Sequence, residues 1–199
     1  MTPPLRHVGP VISVAFSSDA RLLLTASSDR TARVWDAELG VAVLPPLHHV
    51  VCENKTVHMH RDWQSPTGSV WTVGGEWGEF SPDGQRLLTA NGLDIARVWD
   101  AATGRSESAF FGTKLAEEGR REVTHKARFS ADGQHAVTWS DAGGLFVWDL
   151  AKHSNIEVLG HRPRINDAVF SPDGSLMACA GDDGTASIGR VFVGRSGFV

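Results

Sequence analysis

The feature that most constrains the fold of this chain is a fixed interval between a phenylalanine and a tryptophan. A phenylalanine opens a Ser-x-Asp segment four times, and in three of these cases a Trp-Asp pair follows nineteen residues later. The pairs are Phe16 with Trp35, Phe80 with Trp99 and Phe129 with Trp148, and the fourth segment starts at Phe170. The spacing between successive units varies, so insertions fall only between the repeated cores. A constant internal length that recurs at about 40 residues indicates a repeated structural unit.

Short apolar runs with a period near two predict β-strands inside each unit. In the first unit these runs cover 11–16, 22–26 and 31–35, and we expect a fourth extended stretch at 40–44. Between the first and second runs stands Ser-Pro-Asp-Gly in two of the units, where proline and glycine favour a tight turn. Each unit is therefore predicted to form four antiparallel strands.

This pattern resembles the WD40 repeat, and the resemblance covers nearly the whole chain. It implies an all-β fold in which each repeat supplies one four-stranded blade of a β-propeller. On this basis residues 1–199 are a single WD40-repeat domain, with blades at about 7–47, 48–111, 112–159 and 160–199. Residues 49–71 are an insertion in the second blade. The fourth blade is degenerate, since Gly189 stands where a tryptophan is expected.

The resemblance also implies a hydrogen-bonded group inside each blade. Its members are a histidine near the start, a serine or threonine on the second strand, an aspartate in the following turn and the repeated tryptophan. The predicted members here are His7, Ser27, Asp29 and Trp35 in the first unit, with His161 and Asp183 in the last. The repeated pairs are Trp35-Asp36, Trp99-Asp100 and Trp148-Asp149, and their tryptophans are expected in the core. In the middle units Trp71 and Arg120 occupy the position nine residues before the phenylalanine. For the second unit His48 is the better candidate, since it follows Trp35 at the same interval as His161 follows Trp148.

Composition excludes several classes of function. The 199 residues are 41% hydrophobic and 21% charged with a formal net charge of −4, which is ordinary for a soluble protein and disfavours nucleic acid as a partner. The chain contains no long apolar run, so no membrane association is predicted. Its two cysteines lie far apart in sequence, which favours a reducing compartment and a cytoplasmic location.

Neither catalysis nor cofactor binding is predicted. The aspartates recur in register with turns, which gives each a structural role, and no Gly-rich phosphate loop precedes a helix. The insertion contains Cys52, His58 and His60, residue types that bind zinc or copper. Their spacing matches no established zinc finger, so we favour an exposed loop over a metal site.

The most favoured function is a non-catalytic scaffold that binds other proteins or peptides. By resemblance, Ser28 and Asp182, each preceding a turn aspartate, face the partner. Trp63 and Trp71 are further candidates for a peptide anchor, although packing of the insertion onto the second blade is favoured for both. The alternative is a regulatory or ligand-sensing segment of a larger signalling protein. That reading follows from a similarity to bacterial WD40 arrays linked to kinase or ATPase domains, and the insertion would be its specific element.

Closure of the propeller is left open by the sequence. Four units leave two blade edges to be covered, either by a small ring, by a homodimer of eight blades, or by missing blades of a longer chain. The segment 2–7 is similar to the inter-repeat segment 44–48, which predicts that the chain starts in the middle of an array.

Overall fold

The computed structural model describes residues 3–48, 77–91, 95–110, 124–140, 144–152, 154–159 and 164–191. These residues form fifteen β-strands in four antiparallel sheets that follow one another along the chain, and the described ranges contain no helix. Within each sheet every strand pairs with the next one in sequence. The predicted all-β fold of consecutive antiparallel sheets is therefore confirmed.

Most strands in the four sheets are five or six residues long, and β4 and β5 are shorter. The first sheet consists of β1 (Val11–Phe16), β2 (Leu22–Ser27), β3 (Thr31–Asp36) and β4 (Leu47–His48). The second consists of β5 (Trp77–Phe80), β6 (Arg86–Asn91), β7 (Ile95–Asp100) and β8 (Ser106–Phe110). The third consists of β9 (Thr124–Phe129), β10 (His135–Ser140), β11 (Leu145–Asp149) and β12 (Ser154–Leu159). The fourth has three described strands, β13 (Ile165–Phe170), β14 (Leu176–Gly181) and β15 (Ala186–Arg190).

The outer strand of the first sheet differs from the expectation. The predicted stretch 40–44 is reduced to a single bridge between Ala42 and Trp35, and the strand itself is Leu47–His48, paired with Thr31 and Ala32. Pro45 and Pro46 separate the two pairings. Proline has no backbone N–H to donate to a neighbouring strand, so a continuous ladder cannot run through them.

The Ser-x-Asp segments form the same loop four times. In the first sheet the Ser17 hydroxyl donates to Asp19 Oδ1 at 2.6 Å and accepts the backbone N–H of Leu22 at 2.9 Å. The equivalent pair of bonds is made by Ser81, Ser130 and Ser171. These hydrogen bonds, and one from the residue two after each aspartate, lower the pKa of the loop aspartates; the pKa of Asp173 falls to about 2. The loop is therefore a rigid connection closed by its own side chains.

Three apolar clusters fill the spaces between consecutive sheets. We call the side of a sheet that meets the preceding sheet its leading face, and the side that meets the following sheet its trailing face. The trailing face of the first sheet, with Leu24 and Val34, packs on the leading face of the second, with Leu87 and Trp99. The second and third sheets pack in the same way, as do the third and fourth. The core of the protein therefore lies between sheets.

Candidate functional site

A hydrogen-bonded network lies on the leading side of the first sheet. His7 Nδ1 lies 3.1 Å from Asp29 Oδ2, and His7 Nε2 lies 2.7 Å from Thr25 Oγ1. Trp35 Nε1 donates to the same threonine oxygen at 2.8 Å. A carboxylate only accepts and an indole N–H only donates; in the neutral tautomer that suits these partners, His7 Nδ1 donates to Asp29 and His7 Nε2 accepts the Thr25 hydroxyl. The network thus joins the segment before β1, the strand β2, the following turn and the strand β3.

The hydroxyl in this network is Thr25, whereas the sequence prediction placed Ser27 there. Ser27 instead donates to the carbonyl of Gly9 at 3.2 Å and accepts the backbone N–H of Asp29 at 3.1 Å. It therefore holds the turn and the segment before β1 together without contacting Trp35. The structure brings His7, Asp29 and Trp35 together, and sequence reasoning missed Thr25.

Each of the other three sheets repeats part of this network. In the second and third sheets the tryptophan–threonine bond is kept, from Trp99 to Thr89 and from Trp148 to Thr138, both at 2.8 Å. In the fourth sheet the aspartate half is kept, since Asp183 accepts the backbone N–H and the hydroxyl of Thr185. Cys179 and Gly189 stand there at the positions of the threonine and the tryptophan. Among the described residues the whole network is present in the first sheet.

The first network has the order of groups found in hydrolase triads, namely a hydroxyl, an imidazole and a carboxylate. Its threonine is 4% exposed and accepts the indole N–H of Trp35, so its oxygen is turned into the protein. Burial opposes ionisation of Asp29, but hydrogen bonds from the Thr31 hydroxyl, two backbone N–H groups and His7 hold the pKa of its carboxyl well below the usual range. The geometry fits a structural clamp whose aspartate is ionised at neutral pH.

Two of the predicted partner-facing residues lie on one rim of the sheets. The backbone N–H of Ser28 donates to the carbonyl of Pro10, and that of Asp182 donates to the carbonyl of Arg164, both at 3.0 Å. Each bond ties the turn after the second strand to the segment before the first strand. The Asp182 carboxylate also accepts from Asn166 Nδ2 at 2.7 Å, and both of these side chains are exposed. Ser28 itself is half-buried.

Two cationic side chains on the first strand of the third sheet contact the first strands of the second and fourth sheets. Lys126 Nζ and the Arg128 guanidinium lie 5.7 and 5.8 Å from the centre of the Trp77 ring, which is cation–π geometry. Arg128 Nη2 also lies 3.4 Å from Asp167 Oδ1 in the fourth sheet. The group therefore connects three consecutive sheets through side chains. No short sequence pattern indicated it, because its members come from separate repeats.

Glu79 is a half-buried acid between the second and third sheets. Its carboxylate accepts the backbone N–H of Phe129 on β9. Burial raises the pKa of this carboxyl to about 7, against the opposing effects of the Phe129 N–H and the Arg128 charge. A carboxyl with this pKa changes its charge near neutrality, which ordinary surface acids do not.

Several predicted residues lie outside the described parts of the chain: Cys52, His58, His60, Trp63, Trp71 and His161. The predicted candidates for metal binding all belong to this set. Within the described ranges no group of three or more His, Cys, Asp or Glu side chains is placed to hold a metal ion. No helix among the described residues has the length and apolar character needed to cross a membrane.

Consecutive antiparallel sheets that pack face to face, with a tryptophan–threonine bond repeated at one position, define a protein of the β-propeller repeat class. A family model described as "WD domain, G-beta repeat" matches residues 5–36 and 153–188. Two segments of the chain thus match the WD40-repeat family, which its sequence pattern predicted.

Similar curated proteins have diverse names. One is the "Transcription initiation factor TFIID subunit 5" of Caenorhabditis elegans, 27% identical across 86% of this chain and 29% of the relative. Another is the "Guanine nucleotide-binding protein subunit beta" of Oryza sativa subsp. japonica, 25% identical across 89% of this chain and 43% of the relative. A third is the "Nuclear distribution protein PAC1" of Coccidioides posadasii, 26% identical across 82% of this chain and 33% of the relative. The chain thus spans less than half the length of each of these relatives.

Proposed function

We propose that this chain is a non-catalytic scaffold that binds other proteins or peptides through one rim of its sheets. This rim, here called the variable rim, comprises the segments before the first strands and the turns between second and third strands. The opposite rim carries the Ser-x-Asp loops and the turns that follow Trp-Asp. The two matches to the WD40-repeat family support this class of function, because the propellers of that family present composite loop surfaces.

The observation that carries the proposal is that the largest variation in connection length lies on the variable rim. The connection from β4 to β5 covers 49–76, that from β8 to β9 covers 111–123, and that from β12 to β13 covers 160–164. On the opposite rim the four Ser-x-Asp loops have one length and one hydrogen-bonding pattern. Surfaces that bind partners vary on a constant support, so the variable rim fits a binding role.

A matched pair of charge reversals tests this proposal. Asp182→Arg changes the variable rim and Glu38→Arg changes the opposite rim, and both side chains are exposed acids. Tagged wild-type and variant chains are incubated with extract, and bound proteins are quantified by mass spectrometry after far-UV circular dichroism shows equal folding. We expect a specific set of proteins to bind the wild type and Glu38→Arg but to be depleted with Asp182→Arg. Equal loss in both variants, or no enrichment over an unrelated control protein, would count against the proposal.

The alternative, a regulatory or ligand-sensing segment of a kinase- or ATPase-linked protein, has no support from the comparisons. Deleting residues 49–71 separates it from the scaffold, because that insertion would be its specific element. Partner binding that survives the deletion favours the scaffold, whereas loss of binding with an unchanged fold favours the alternative. Trp63 and Trp71 stay predicted anchors within that segment, and a cytoplasmic location stays a prediction.

A further inference from the structure

The outward faces of the first and fourth sheets expose residues that the junctions between sheets bury. On the leading face of the first sheet Phe16 is 62% exposed, whereas at the same repeat position Phe80 is half-buried and Phe129 and Phe170 are at most 9% exposed. On the trailing face of the fourth sheet Ile188 is 75% exposed, whereas valine at the same position in the other three sheets is at most 2% exposed. Each outward face therefore has the character of one half of a junction.

The leading face of the first sheet repeats that of the second sheet. It carries Phe16, Leu23, Thr25, Arg33, Trp35 and Ala37, and the same six residue types stand at the same repeat positions in the second sheet. In the second sheet this face is packed on the trailing face of the first sheet. A leading face with this composition is therefore suited to a trailing face of that kind.

The trailing face of the fourth sheet has the composition that such a leading face meets. Ala180 and Ala186 stand at the positions of Ala26 and Ala32, which are buried in the first junction. Ile188 stands at the position of Val34, one methylene larger. The two outward faces of this chain thus correspond to the two halves of its first junction.

The sizes of the two residues that face each other at one position give a more specific test of whether the two outward faces fit together. In the first junction a Cβ on Gly78 would lie 2.9 Å from Leu24 Cδ2, so the leucine in its present position packs directly against the glycine. At the same positions Leu88 shares a cluster with Ala127, and Val137 shares one with Ala168. In every junction the trailing residue is large and the leading residue is small.

The outward faces reverse this order of sizes. The trailing residue of the fourth sheet is Ala178, and the leading residue of the first sheet is Val14, which is 61% exposed. Together they bring the same number of side-chain carbons as Val137 with Ala168. Since protein interiors are close-packed, a small residue opposite a large one is what a well-filled junction needs.

We propose that a second copy of this chain seats the leading face of its first sheet on the trailing face of the fourth sheet. The contact is head to tail, so each copy supplies one face to each of two identical junctions, and two copies close a ring of eight sheets. Eight lies within the range of blade numbers that propellers adopt. The inference is independent of the proposed scaffold function, since it concerns the edges between sheets and not the variable rim.

The first test is the native mass of the purified chain by light scattering coupled to size exclusion. We expect twice the chain mass of 21.5 kDa at micromolar concentration. Phe16→Asp and Ile188→Asp each place a carboxylate in the proposed junction while leaving an exposed position in the single chain. Each variant alone is expected to be a folded monomer, with dimerisation weakened about 100-fold or more by the buried charge.

Mixing the two variants identifies the head-to-tail arrangement. The Phe16→Asp chain keeps an intact trailing face and the Ile188→Asp chain keeps an intact leading face, so their mixture regains one proper junction and is expected to dimerise. A contact between two copies of the same face predicts otherwise, because one of the single variants would remain a dimer.

A size exchange tests the packing argument. Ala178→Leu should overfill the junction against Val14 and weaken dimerisation, and adding Val14→Gly should restore it by reproducing the Leu24–Gly78 pair. A wild-type chain that is monomeric, a dimer that survives either aspartate variant, or assemblies that grow beyond two copies would overturn the proposal.

Discussion

The Thr25 hydroxyl lies 2.7 Å from His7 Nε2, although the two residues belong to different segments of the first sheet. The same oxygen accepts the indole N–H of Trp35 at 2.8 Å. One buried hydroxyl therefore satisfies the polar atoms of two large rings. The loss of such a group leaves both rings with an unpaired nitrogen inside the protein.

Replacing this hydroxyl should destabilise the fold without changing side-chain shape. Thr25→Val is nearly isosteric and leaves Trp35 Nε1 and His7 Nε2 without partners, so we expect the free energy of unfolding to fall by about 3 kcal/mol. Urea denaturation followed by tryptophan fluorescence measures this change. Thr25→Ser is the control, because it keeps the hydroxyl and removes one methyl group. If valine and serine have equal effects, packing and not hydrogen bonding is the role of Thr25.

The Asp29 carboxylate should make the first sheet sensitive to acid. Its pKa is held low in the folded protein, so its contribution to stability is present above the unfolded value near 3.8 and is lost as the pH falls. We expect Asp29→Asn to be less stable than the wild type at pH 7, with the difference narrowing steadily between pH 5 and pH 2. Thermal melting across this range provides the measurement. A difference that stays constant with pH would mean that the charge of Asp29 is not the stabilising feature.

Much of the fold was predictable, because the same turn and strand residues recur in each repeat. The Ser-x-Asp loop illustrates this, since serine and aspartate satisfy one another and the backbone within six residues. The stretch predicted at 40–44 pairs with β3 over a shorter length than expected, around Ala42, and Pro45 and Pro46 separate this pairing from β4.

Choosing between Thr25 and Ser27 shows where periodicity fails. Both side chains lie on the same face of β2, since they are two residues apart, and alternation cannot separate them. The strand register separates them: Leu23 pairs with Trp35, and Thr25 is the next residue after Leu23 on the same face of β2, so it lies nearer to Trp35 than Ser27 does. Recurrence of threonine at this position in three units was the available signal. The contact of Glu79 with Phe129 had none, since its partners are fifty residues apart in different repeats.

One Ser-x-Asp loop contains a residue that its backbone does not favour. Ala20 has a φ of 57°, while Gly84, Gly133 and Gly174 occupy the same position in the other loops at 65–70°. An L-residue with a Cβ is strained in this left-handed region, and glycine is not. We expect Ala20→Gly to raise the free energy of unfolding by about 1 kcal/mol. The reciprocal change Gly84→Ala should lower it by a similar amount, and two changes of the same sign in denaturant titrations would contradict this explanation.

The half-buried Glu79, between the second and third sheets, should make the stability of the fold depend on pH with a sign opposite to that of Asp29. Its pKa is raised to about 7 from 4.5, so the folded protein holds a proton that the unfolded chain releases. Stability linked to this group is therefore full below pH 4.5, decreases as the pH rises, and is lost above about 7. Glu79→Gln keeps an oxygen that can accept the Phe129 N–H and cannot ionise. We expect this variant to be more stable than the wild type at pH 8 and to lose the decrease in the free energy of unfolding between pH 5 and pH 7.

Glu107→Gln, at an exposed position on β8, controls for the change in net charge and should leave the slope of stability against pH unaltered. If both variants flatten the profile equally, the slope arises from overall charge and not from the junction between the second and third sheets.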